Sequence, residues 1–229
     1  MIIGSMQRFS LIDYPGKICA IVFTQGCNFR CPYCHNPELV NPKKFAKSIA
    51  PDEIFSFLER RRGKLDAVSI TGGEPTLQEN LVGFIRNIKD LGYLVKIDTN
   101  GSMPEVLEEL MGEKLLDLIA MDVKAPLDKY KKTVKASVDT RRIEESIHLI
   151  MNSGIDYEFR TTIVKSLLDE ADIKKIGTVI KGADRYVLQK FVPSKTLNPK
   201  FMNAATFTDE EIEKTAKSLE KLVGSVISR

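Results

Sequence analysis

The chain has no tryptophan, only two histidines and only four cysteines among its 229 residues. Its longest wholly apolar run, residues 18–23, is far shorter than the roughly 18 to 20 residues that cross a bilayer. No signal-peptide core precedes Tyr14. These absences exclude membrane-spanning and secreted proteins, so we expect a cytoplasmic location. The formal net charge of +3, from 34 basic and 31 acidic residues, is too small and too evenly spread to indicate nucleic-acid binding.

All four cysteines lie near the amino terminus, at Cys19, Cys27, Cys31 and Cys34, and the rest of the chain has none. A fold built on disulfides spreads its cysteines along the chain, so this distribution indicates one local site. Hydrophobic residues make up 43% and charged residues 28% of the chain, which is typical of a globular protein with a sizeable core. No long linker or low-complexity tract divides the sequence. We therefore expect residues 1–229 to form a single domain.

Short β-like runs alternate with longer amphipathic segments along the chain. The runs are nearly continuous in apolar residues, as is typical of parallel strands covered on both faces. They predict strands at 18–24, 67–71, 94–99, 116–123, 157–164 and 185–191. The amphipathic segments predict helices near 51–62, 77–91, 103–112, 139–153, 169–181 and 208–226.

Helix start and stop signals support these segments. Thr208 followed by Glu211 fits a capping box before the last helix. Pro51 suits the first turn of a helix. Gly92 and Gly154 each stand between an amphipathic run and a β-like run, as glycines at helix C-termini do.

Six β-then-α units predict an α/β fold with a parallel sheet made of right-handed crossovers. A closed eight-unit barrel needs about 250 residues, so the length favours an incomplete (β/α)6 TIM-like barrel. A doubly wound sheet stays as the alternative, because periodicity does not separate the two. In both folds ligands bind at the carboxyl ends of the strands, and the polar motifs of this sequence fall at those ends.

Cys27, Cys31 and Cys34 follow the first predicted strand with the spacing C-x3-C-x2-C. Three thiolates on one loop are soft ligands that select zinc, copper(I) or an iron–sulfur cluster. A structural zinc site has four ligands and usually a second pair downstream. The other candidates are poorly placed: Cys19 lies within a strand, and His35 adjoins Cys34. This favours a [4Fe-4S] cluster with one open iron; structural zinc and unligated thiols stay as alternatives.

The cysteine motif and the polar segments after later strands resemble those of radical S-adenosylmethionine (SAM) enzymes. The later motifs are Thr71-Gly72-Gly73-Glu74-Pro75, Asp98-Thr99-Asn100-Gly101 and Asp122-Val123-Lys124. Within that group they look like motifs of the activases of glycyl-radical enzymes. Segments 9–16 and 23–39 are similar to the activating proteins of anaerobic ribonucleoside-triphosphate reductase. The resemblance runs from about residue 7 to about residue 191, which is most of the chain.

The resemblance implies two cofactors and the residues that hold them. Cys27, Cys31 and Cys34 would ligate the [4Fe-4S] cluster, whose fourth iron would bind SAM. The cofactors carry the chemistry, so no catalytic side chain is expected beyond the cluster and SAM. The SAM contacts it implies are Tyr33, His35, Gly72, Gly73, Glu74, Asn100, Asp122, Lys124, Arg160 and Gln189. It also implies a monovalent cation at Asp98, Thr99 and Asp122, and a contact between Asp13 and the glycine loop of the partner.

Several of these residues have plain structural alternatives. Tyr33 could simply pack the cysteine loop. Glu74 could hold its turn or face a helix dipole. An arginine inside an apolar strand needs a partner, so Arg160 could form an ion pair with Glu158 or with an acid at the rim instead of contacting SAM.

Three further segments are ambiguous. Asp13 precedes Tyr14-Pro15-Gly16 and could form a tight turn. The last predicted strand carries Gln189 where related activases place a histidine, so a contact to the ribose there would have to come from its amide. The lysine-rich segment 129–135 is either a solvated surface or a docking site for an acidic electron donor.

The function implied by the resemblance is that of a radical SAM activase. It would generate a glycyl radical on a partner enzyme, first of all anaerobic ribonucleoside-triphosphate reductase, with electrons from a flavodoxin or a ferredoxin-like protein. An incomplete barrel leaves lateral room for a protein loop. The alternatives are an activase of pyruvate formate-lyase, a radical SAM enzyme acting on a non-protein substrate, and a non-enzymatic zinc module.

Overall fold

Eight strands form one continuous sheet in which spatial order follows chain order. The computed structural model describes every residue, 1–229. β1 pairs antiparallel with β2, and every later pair is parallel. The strands are β1 (Ile3–Ser10), β2 (Cys19–Thr24), β3 (Ala67–Gly72), β4 (Leu94–Thr99), β5 (Leu118–Asp122), β6 (Asp156–Ile163), β7 (Tyr186–Lys190) and β8 (Val226–Ser228).

Helices fill the connections between the parallel strands. They are α1 (Pro37–Val40), α2 (Pro51–Arg60), α3 (Leu81–Asp90), α4 (Pro104–Gly112), α5 (Tyr130–Val134), α6 (Thr140–Met151), α7 (Glu170–Val179) and α8 (Asp209–Leu219). Short 3-10 helices lie at Pro42–Lys44, Pro75–Leu77, Leu127–Lys129 and Pro199–Asn203. No helix is long and apolar enough to span a membrane.

The predicted incomplete barrel is confirmed. All six predicted strands are present, as β2 to β7, within two residues of the expected bounds. A doubly wound sheet reverses its strand order at one point, whereas this sheet never does, so that alternative is wrong. β1 and β8 do not pair with each other, and the barrel is open between them.

Helix termini follow the signals in the sequence. Thr208 and Glu211 form both hydrogen bonds of a capping box at the start of α8. Pro51 is the first residue of α2. Gly92 and Gly154 have φ of +88° and +70°, which glycine adopts without the steric cost of a side chain.

The two edge strands are what sequence patterning missed. Within β1 only Ile3 and Ser10 are buried, so the strand shows no apolar run. β8 has three residues and begins at Val226. The predicted final helix was expected to reach that same residue. That helix ends at Leu219. A side chain at Gly224 would lie 2.9 Å from the carbonyl oxygen of Asp184, so the glycine lets the chain turn closely against the protein before β8.

The core has two parts. The larger part lies between the outer face of the sheet and the helices. A smaller cluster on the inner face of the barrel includes Tyr14, Cys19, Ile21 and Leu118. Cys19, which we expected in the core, is fully buried there. Beyond this cluster, towards the carboxyl ends of the strands, the inner face carries charged and polar side chains.

Candidate active site

A cavity of about 490 Å³ lies at the carboxyl ends of the parallel strands. Its walls are the loops after β2 to β5 and the ends of β6 and β7. It brings together every residue expected at the site: Asp13, Cys27, Cys31, Tyr33, Cys34, His35, Gly72, Gly73, Glu74, Asp98, Thr99, Asn100, Asp122, Lys124, Arg160 and Gln189.

The cysteine loop at one wall of this cavity is held on both sides. The Arg30 amide donates to the Val134 carbonyl in α5 over 2.8 Å. On the other side, the amides of Leu197 and Asn198 donate to the carbonyls of Cys34 and Pro32, both over 2.9 Å. Backbone hydrogen bonds from two distant segments therefore fix the loop, although the loop itself has no regular secondary structure.

The three thiols of this loop lie in an apolar setting. All are free of disulfides. Burial raises the pKa of Cys27 to about 12 and that of Cys31 to about 11, and it also raises the pKa of Cys34. The Phe29 amide donates to Cys27 Sγ over 3.3 Å, a contact that favours the thiolate.

The spacing of the thiols bears on the choice of metal. No group of three or more His, Cys, Asp or Glu side chains in the chain is arranged to hold a single metal ion. A zinc site needs its donors about 2.0 to 2.3 Å from one ion, whereas a four-iron cluster takes each thiolate at a different iron. Three soft donors suit a cluster with one open iron better than a structural zinc site with its four ligands.

Gly72 and Gly73 bring the loop after β3 against the cysteine loop. Gly72 has a φ of +116°, and a side chain there would lie 2.5 Å from the Thr24 nitrogen. A side chain at Gly73 would lie 2.0 Å from the Gly26 carbonyl oxygen. The Gly73 amide donates to Thr24 O over 2.9 Å, whereas the Gly73 carbonyl accepts no hydrogen bond in the chain. That carbonyl is free to accept from a ligand.

Glu74 ties the loop after β3 to the loop after β4. Its carboxylate accepts from the Thr99 hydroxyl and the Asn100 amide, both over 2.7 Å, and from the Thr76 hydroxyl over 2.6 Å. The side chain is buried, and burial raises its pKa. Within the chain, Glu74 therefore holds its own turn, as one of the two roles expected for it.

Asn100 continues this connection to the cysteine loop. Its side-chain amide donates to the Asn28 side chain over 2.9 Å and lies 3.9 Å from Cys27 Sγ. Its carbonyl oxygen accepts from the Ser102 amide over 2.9 Å. Asn100 therefore connects the loop after β4 to the cysteine loop.

Five charged side chains form a cluster on the inner face of β4, β5 and β6. The Arg160 guanidinium lies 2.9 Å from Asp122 and 3.3 Å from Asp98. Lys124 Nζ lies 2.8 Å from Asp122, and Lys96 Nζ contacts Asp98. Arg160 thus pairs with acids at the rim, whereas Glu158 pairs with Arg229 over 3.2 Å.

The charged side chains in this cluster shift one another's pKa values. Burial alone would raise the pKa of Asp122, but Arg160 and Lys124 outweigh it and lower that pKa to about 2. Arg160 and Lys96 likewise outweigh burial at Asp98 and lower its pKa. Burial lowers the pKa of Lys124, and Asp122 reverses the shift and raises it well above its ordinary value.

An aromatic group lines the cavity on the β7 side. His35 stacks on Phe191 with ring centroids 5.4 Å apart, and its Nε2 lies 3.0 Å from the Val192 carbonyl oxygen. Tyr33 meets Phe191 edge-on at 6.4 Å. The Tyr33 hydroxyl is buried without a hydrogen-bond partner. A buried hydroxyl without a partner is costly, and here it points to a ligand.

Asp13 and Gln189 make few contacts in the cavity. Asp13 accepts a hydrogen bond from the Ser10 hydroxyl in its own turn. Gln189 accepts from the Thr162 hydroxyl over 3.3 Å. Both therefore retain polar atoms for a ligand or a partner.

Sequence reasoning missed Lys96 and Asn28. Lys96 stands in the apolar strand β4 with its side chain 4% exposed, two positions before Asp98. Strand alternation places residues two apart on the same face, so this spacing was a signal that could have found the pair. No sequence signal marks the contact between Asn28 and Asn100, because it joins two loops far apart in the chain.

Comparison with known proteins decides the family. Residues 21–176 match the profile of the radical SAM superfamily. The chain belongs to this superfamily. It is 37% identical over its whole length to a Methanocaldococcus jannaschii protein named as a glycyl-radical enzyme activating enzyme, 95% of which is covered. It is 31% identical to the pyruvate formate-lyase-activating enzyme of Clostridium pasteurianum, over 85% of this chain and 82% of that protein. This radical SAM protein is therefore an enzyme of the glycyl-radical activating group.

Solved structures show the same radical SAM fold. SuiB of Streptococcus suis bound to S-adenosylmethionine matches 91% of this chain with a TM-score of 0.70 at 14% identity. The chain spans about half of SuiB, 49% of its length. A domain of a pyruvate-formate lyase-activating enzyme from Bacteroides vulgatus matches 72% of this chain and 99% of that domain, with a TM-score of 0.56 at 18% identity. At such identities the likeness establishes the fold alone.

Membership of the radical SAM superfamily implies a [4Fe-4S] cluster and SAM, and the residues present fit both. Cys27, Cys31 and Cys34 are a soft donor set of three, which suits a cluster with one open iron. The Tyr33 hydroxyl and the Gly73 carbonyl are polar atoms that the chain leaves without partners. They lie in the same cavity as the three thiols.

Proposed function

We propose that this enzyme cleaves SAM reductively on a [4Fe-4S] cluster held by Cys27, Cys31 and Cys34, and that it generates a glycyl radical on anaerobic ribonucleoside-triphosphate reductase. The observation that carries the proposal is the clamped cysteine loop beside a cavity with unpartnered polar atoms. When bound, the cluster would supply one electron to the sulfonium of SAM, which would break the C5′–S bond to give methionine and a 5′-deoxyadenosyl radical able to take a hydrogen atom from the partner's glycine.

The polar groups around the cavity would orient SAM. The Gly73 carbonyl, which has no partner in the chain, accepts from the amino group of SAM. Arg160 and Lys124 sit in a cluster with excess positive charge and attract its carboxylate. Asn100 and Gln189 line the same cavity and would contact the ribose hydroxyls.

The aromatic group would hold the adenine. Tyr33 presents a ring and an unpartnered hydroxyl, and the backbone at His35 lies beside it. The stack of His35 on Phe191 fixes the backbone there. An aromatic face and nearby polar backbone groups are suited to a purine base.

The open side of the barrel would admit the partner's glycine loop. Asp13 lies in the cavity wall, and its neighbours Leu11 and Ile12 are 62% and 87% exposed. Large exposed apolar side chains next to a functional cavity are typical of a protein interaction site. We assign contact with the glycine loop to Asp13 and its turn.

A basic surface beside the cysteine loop would receive an acidic electron donor, a flavodoxin or a ferredoxin-like protein. Lys131, Lys132 and Lys135 are exposed and form no ion pair. They lie in and directly after α5, whose Val134 carbonyl holds the cysteine loop. Opposite charges at such a surface would steer association with an acidic protein.

A second candidate partner is pyruvate formate-lyase. It is favoured by the similarity to the pyruvate formate-lyase-activating enzyme of Clostridium pasteurianum. Anaerobic ribonucleoside-triphosphate reductase is favoured by the motifs in segments 9–16 and 23–39.

One experiment separates the two partners. The cluster is reconstituted anaerobically, and the enzyme is mixed with reductant, SAM and one of the two partner enzymes. We expect a glycyl-radical signal in electron paramagnetic resonance with the ribonucleotide reductase. A signal with pyruvate formate-lyase and none with the reductase would show that the partner is pyruvate formate-lyase. SAM cleavage without a radical on either protein would favour a non-protein substrate.

A further inference from the structure

Lys96 is a buried lysine that the expected chemistry does not use. It stands in the middle of β4 on the inner face of the barrel, and its side chain is 4% exposed. Its in-register neighbours are Ser69 on β3 and Leu118 on β5. The Ser69 hydroxyl is buried and makes no hydrogen bond. The Lys96 ammonium forms one ion pair, with Asp98. A buried charge is retained in a fold only when it is paired.

Lys96 bears directly on the monovalent cation expected at Asp98, Thr99 and Asp122. Asp98 already contacts Lys96 and lies 3.3 Å from Arg160. Hard cations need oxygen ligands with free lone pairs. Lys96 and Arg160 both contact the Oδ1 oxygen of this carboxylate, so a cation bound to Asp98 would lie close to two positively charged side chains.

The other two expected ligands are also engaged. Asp122 lies 2.9 Å from Arg160 and 2.8 Å from Lys124. The Thr99 hydroxyl donates to Glu74 over 2.7 Å and accepts from the Gly101 amide over 3.1 Å. Each of the three expected ligands therefore already has partners in the chain, and the two carboxylates lie beside cationic side chains that would repel an inorganic cation.

The charge balance leads to the same conclusion. The cluster holds three cationic side chains and two carboxylates, which leaves one net positive charge. This count covers the ion-paired groups alone: Glu74 forms no ion pair and is held by neutral hydrogen-bond donors, and Glu158 is paired with Arg229. Like charges close together in a buried site repel strongly. A further cation is therefore disfavoured, whereas one anionic group would balance the cluster.

We propose that Lys96 is a built-in counter-ion that takes the place of an inorganic monovalent cation at Asp98, so that the cluster binds the carboxylate of SAM without Na⁺ or K⁺. Lys96 is a positioning residue: it shares the negative charge of Asp98 with Arg160, so that less of the positive charge of Arg160 is neutralised by Asp98 and more of it acts on the ligand carboxylate. The part of this inference that concerns SAM rests on the proposed function. The part that concerns the cation does not.

The first test measures cation binding to the protein before cluster assembly. Sodium-23 relaxation is followed in a titration with K⁺ as competitor. The wild-type protein should show no saturable Na⁺ binding. In Lys96→Met, Asp98 loses its counter-ion, and saturable binding that K⁺ displaces should appear. The control is Lys217→Met, which removes an exposed lysine 2.8 Å from the exposed Glu213, outside the cavity, and should behave as wild type.

The second test measures SAM affinity of the cluster-loaded protein by equilibrium dialysis. The salts are KCl, NaCl and tetramethylammonium chloride at equal ionic strength. Wild-type affinity should be the same in all three. Lys96→Met should bind about tenfold more weakly in tetramethylammonium chloride and recover part of the loss in KCl. Lys96→Arg, which keeps the charge, should remain independent of the salt.

Two outcomes would overturn the proposal. One is saturable Na⁺ binding by the wild-type protein together with a SAM affinity that depends on the cation. The other is a folded Lys96→Met protein that matches wild type in both tests. If Lys96→Met does not fold, the wild-type titrations decide alone. Failure of the proposed function would look different, because the cation results would stand while reductant and SAM yielded no 5′-deoxyadenosine.

Discussion

Two kinds of buried polar side chain line the cavity. Glu74 accepts hydrogen bonds from Thr76, Thr99 and Asn100, and its role is to join the loops that carry them. The Tyr33 hydroxyl is buried beside the Cys31 thiol and makes no well-formed hydrogen bond. The first kind joins loops of the protein to one another, whereas the second kind is open to a hydrogen bond from a bound ligand.

Tyr33→Phe should therefore stabilise the protein that lacks cofactors. The substitution removes a buried hydroxyl that has no partner, and we expect the free energy of unfolding to rise by about 1 kcal/mol. Tyr186→Phe is the matched control. Its hydroxyl donates to Thr161 over 2.8 Å, so its loss should lower the free energy of unfolding by about 1 kcal/mol. Denaturant unfolding measures both; equal destabilisation of the two variants would contradict the assignment.

The cysteines provide a second matched pair. Cys31→Ala should lose iron, the visible absorption of the cluster and SAM cleavage together, because three ligands are the minimum for this site. Cys19→Ala should retain all three, since Cys19 lies in the inner core cluster. Iron content and 5′-deoxyadenosine yield are the measurements. An active Cys31→Ala protein would remove Cys31 from the ligand set.

Asp122 should contribute to the fall in the free energy of unfolding at acid pH. Its pKa is lowered from 3.8 to about 2, so its unfolded form binds a proton more readily than its folded form. Its contribution is fully present above about pH 4 and is lost as the pH falls towards 2. Asp122→Asn should flatten the decline of unfolding free energy across that range. Curves of wild type and variant that stay parallel from pH 4 to pH 2 would contradict this.

The sequence predicted which residues line the cavity. It did not determine which of their side chains form ion pairs with one another. Arg160 was expected to contact SAM or to pair with Glu158 or a rim acid. The structure pairs it with Asp122 and Asp98, because the register of β5 and β6 sets Asp122 directly beside Arg160. Strand register depends on the whole sheet, and a single sequence does not contain it.

At the scale of elements, the loop after β3 determines how close the cysteine loop can come. Gly73 packs backbone to backbone against Gly26, the residue before Cys27. The Glu74 amide donates to the Gly26 carbonyl over 2.8 Å. The position of the cysteine loop thus depends on a glycine in a different βα unit.

Gly73→Ala should displace the cysteine loop. The added carbon would lie 2.0 Å from the Gly26 carbonyl oxygen, and we expect a loss of about 2–3 kcal/mol of unfolding free energy together with reduced iron content. Gly83→Ala is the control, because a side chain there, within α3, has open space. That variant should be more stable by about 0.5–1 kcal/mol. Full iron loading of Gly73→Ala would show that the loop tolerates the displacement.

The elements themselves were largely predictable, and the exceptions have physical causes. The buried strands β2 to β7 show continuous apolar runs because helices and core cover them. β1 is an edge strand with a mostly exposed face, so nothing in its composition marks it. β8 is too short for a pattern and depends on pairing with β7, a contact that only the folded chain supplies.

At the scale of the whole molecule, the open barrel brings three groups of side chains together at one end. Parallel strands β2 to β7 place the cluster ligands, the charged cluster and the aromatic group around one cavity. The unpaired edges of β1 and β8 leave the barrel open, and the exposed turn at Leu11 and Ile12 adjoins the cavity. A protein loop can therefore approach the site where SAM is proposed to bind.

The most direct test of this account follows one hydrogen atom. The ribonucleotide reductase is labelled with glycine deuterated at Cα and mixed anaerobically with the reconstituted activase, reductant and SAM. The account predicts that deuterium appears in 5′-deoxyadenosine, detected by mass spectrometry, in step with a glycyl-radical signal in electron paramagnetic resonance. Unlabelled 5′-deoxyadenosine without that signal would contradict the claim that a glycine of this partner is the hydrogen donor.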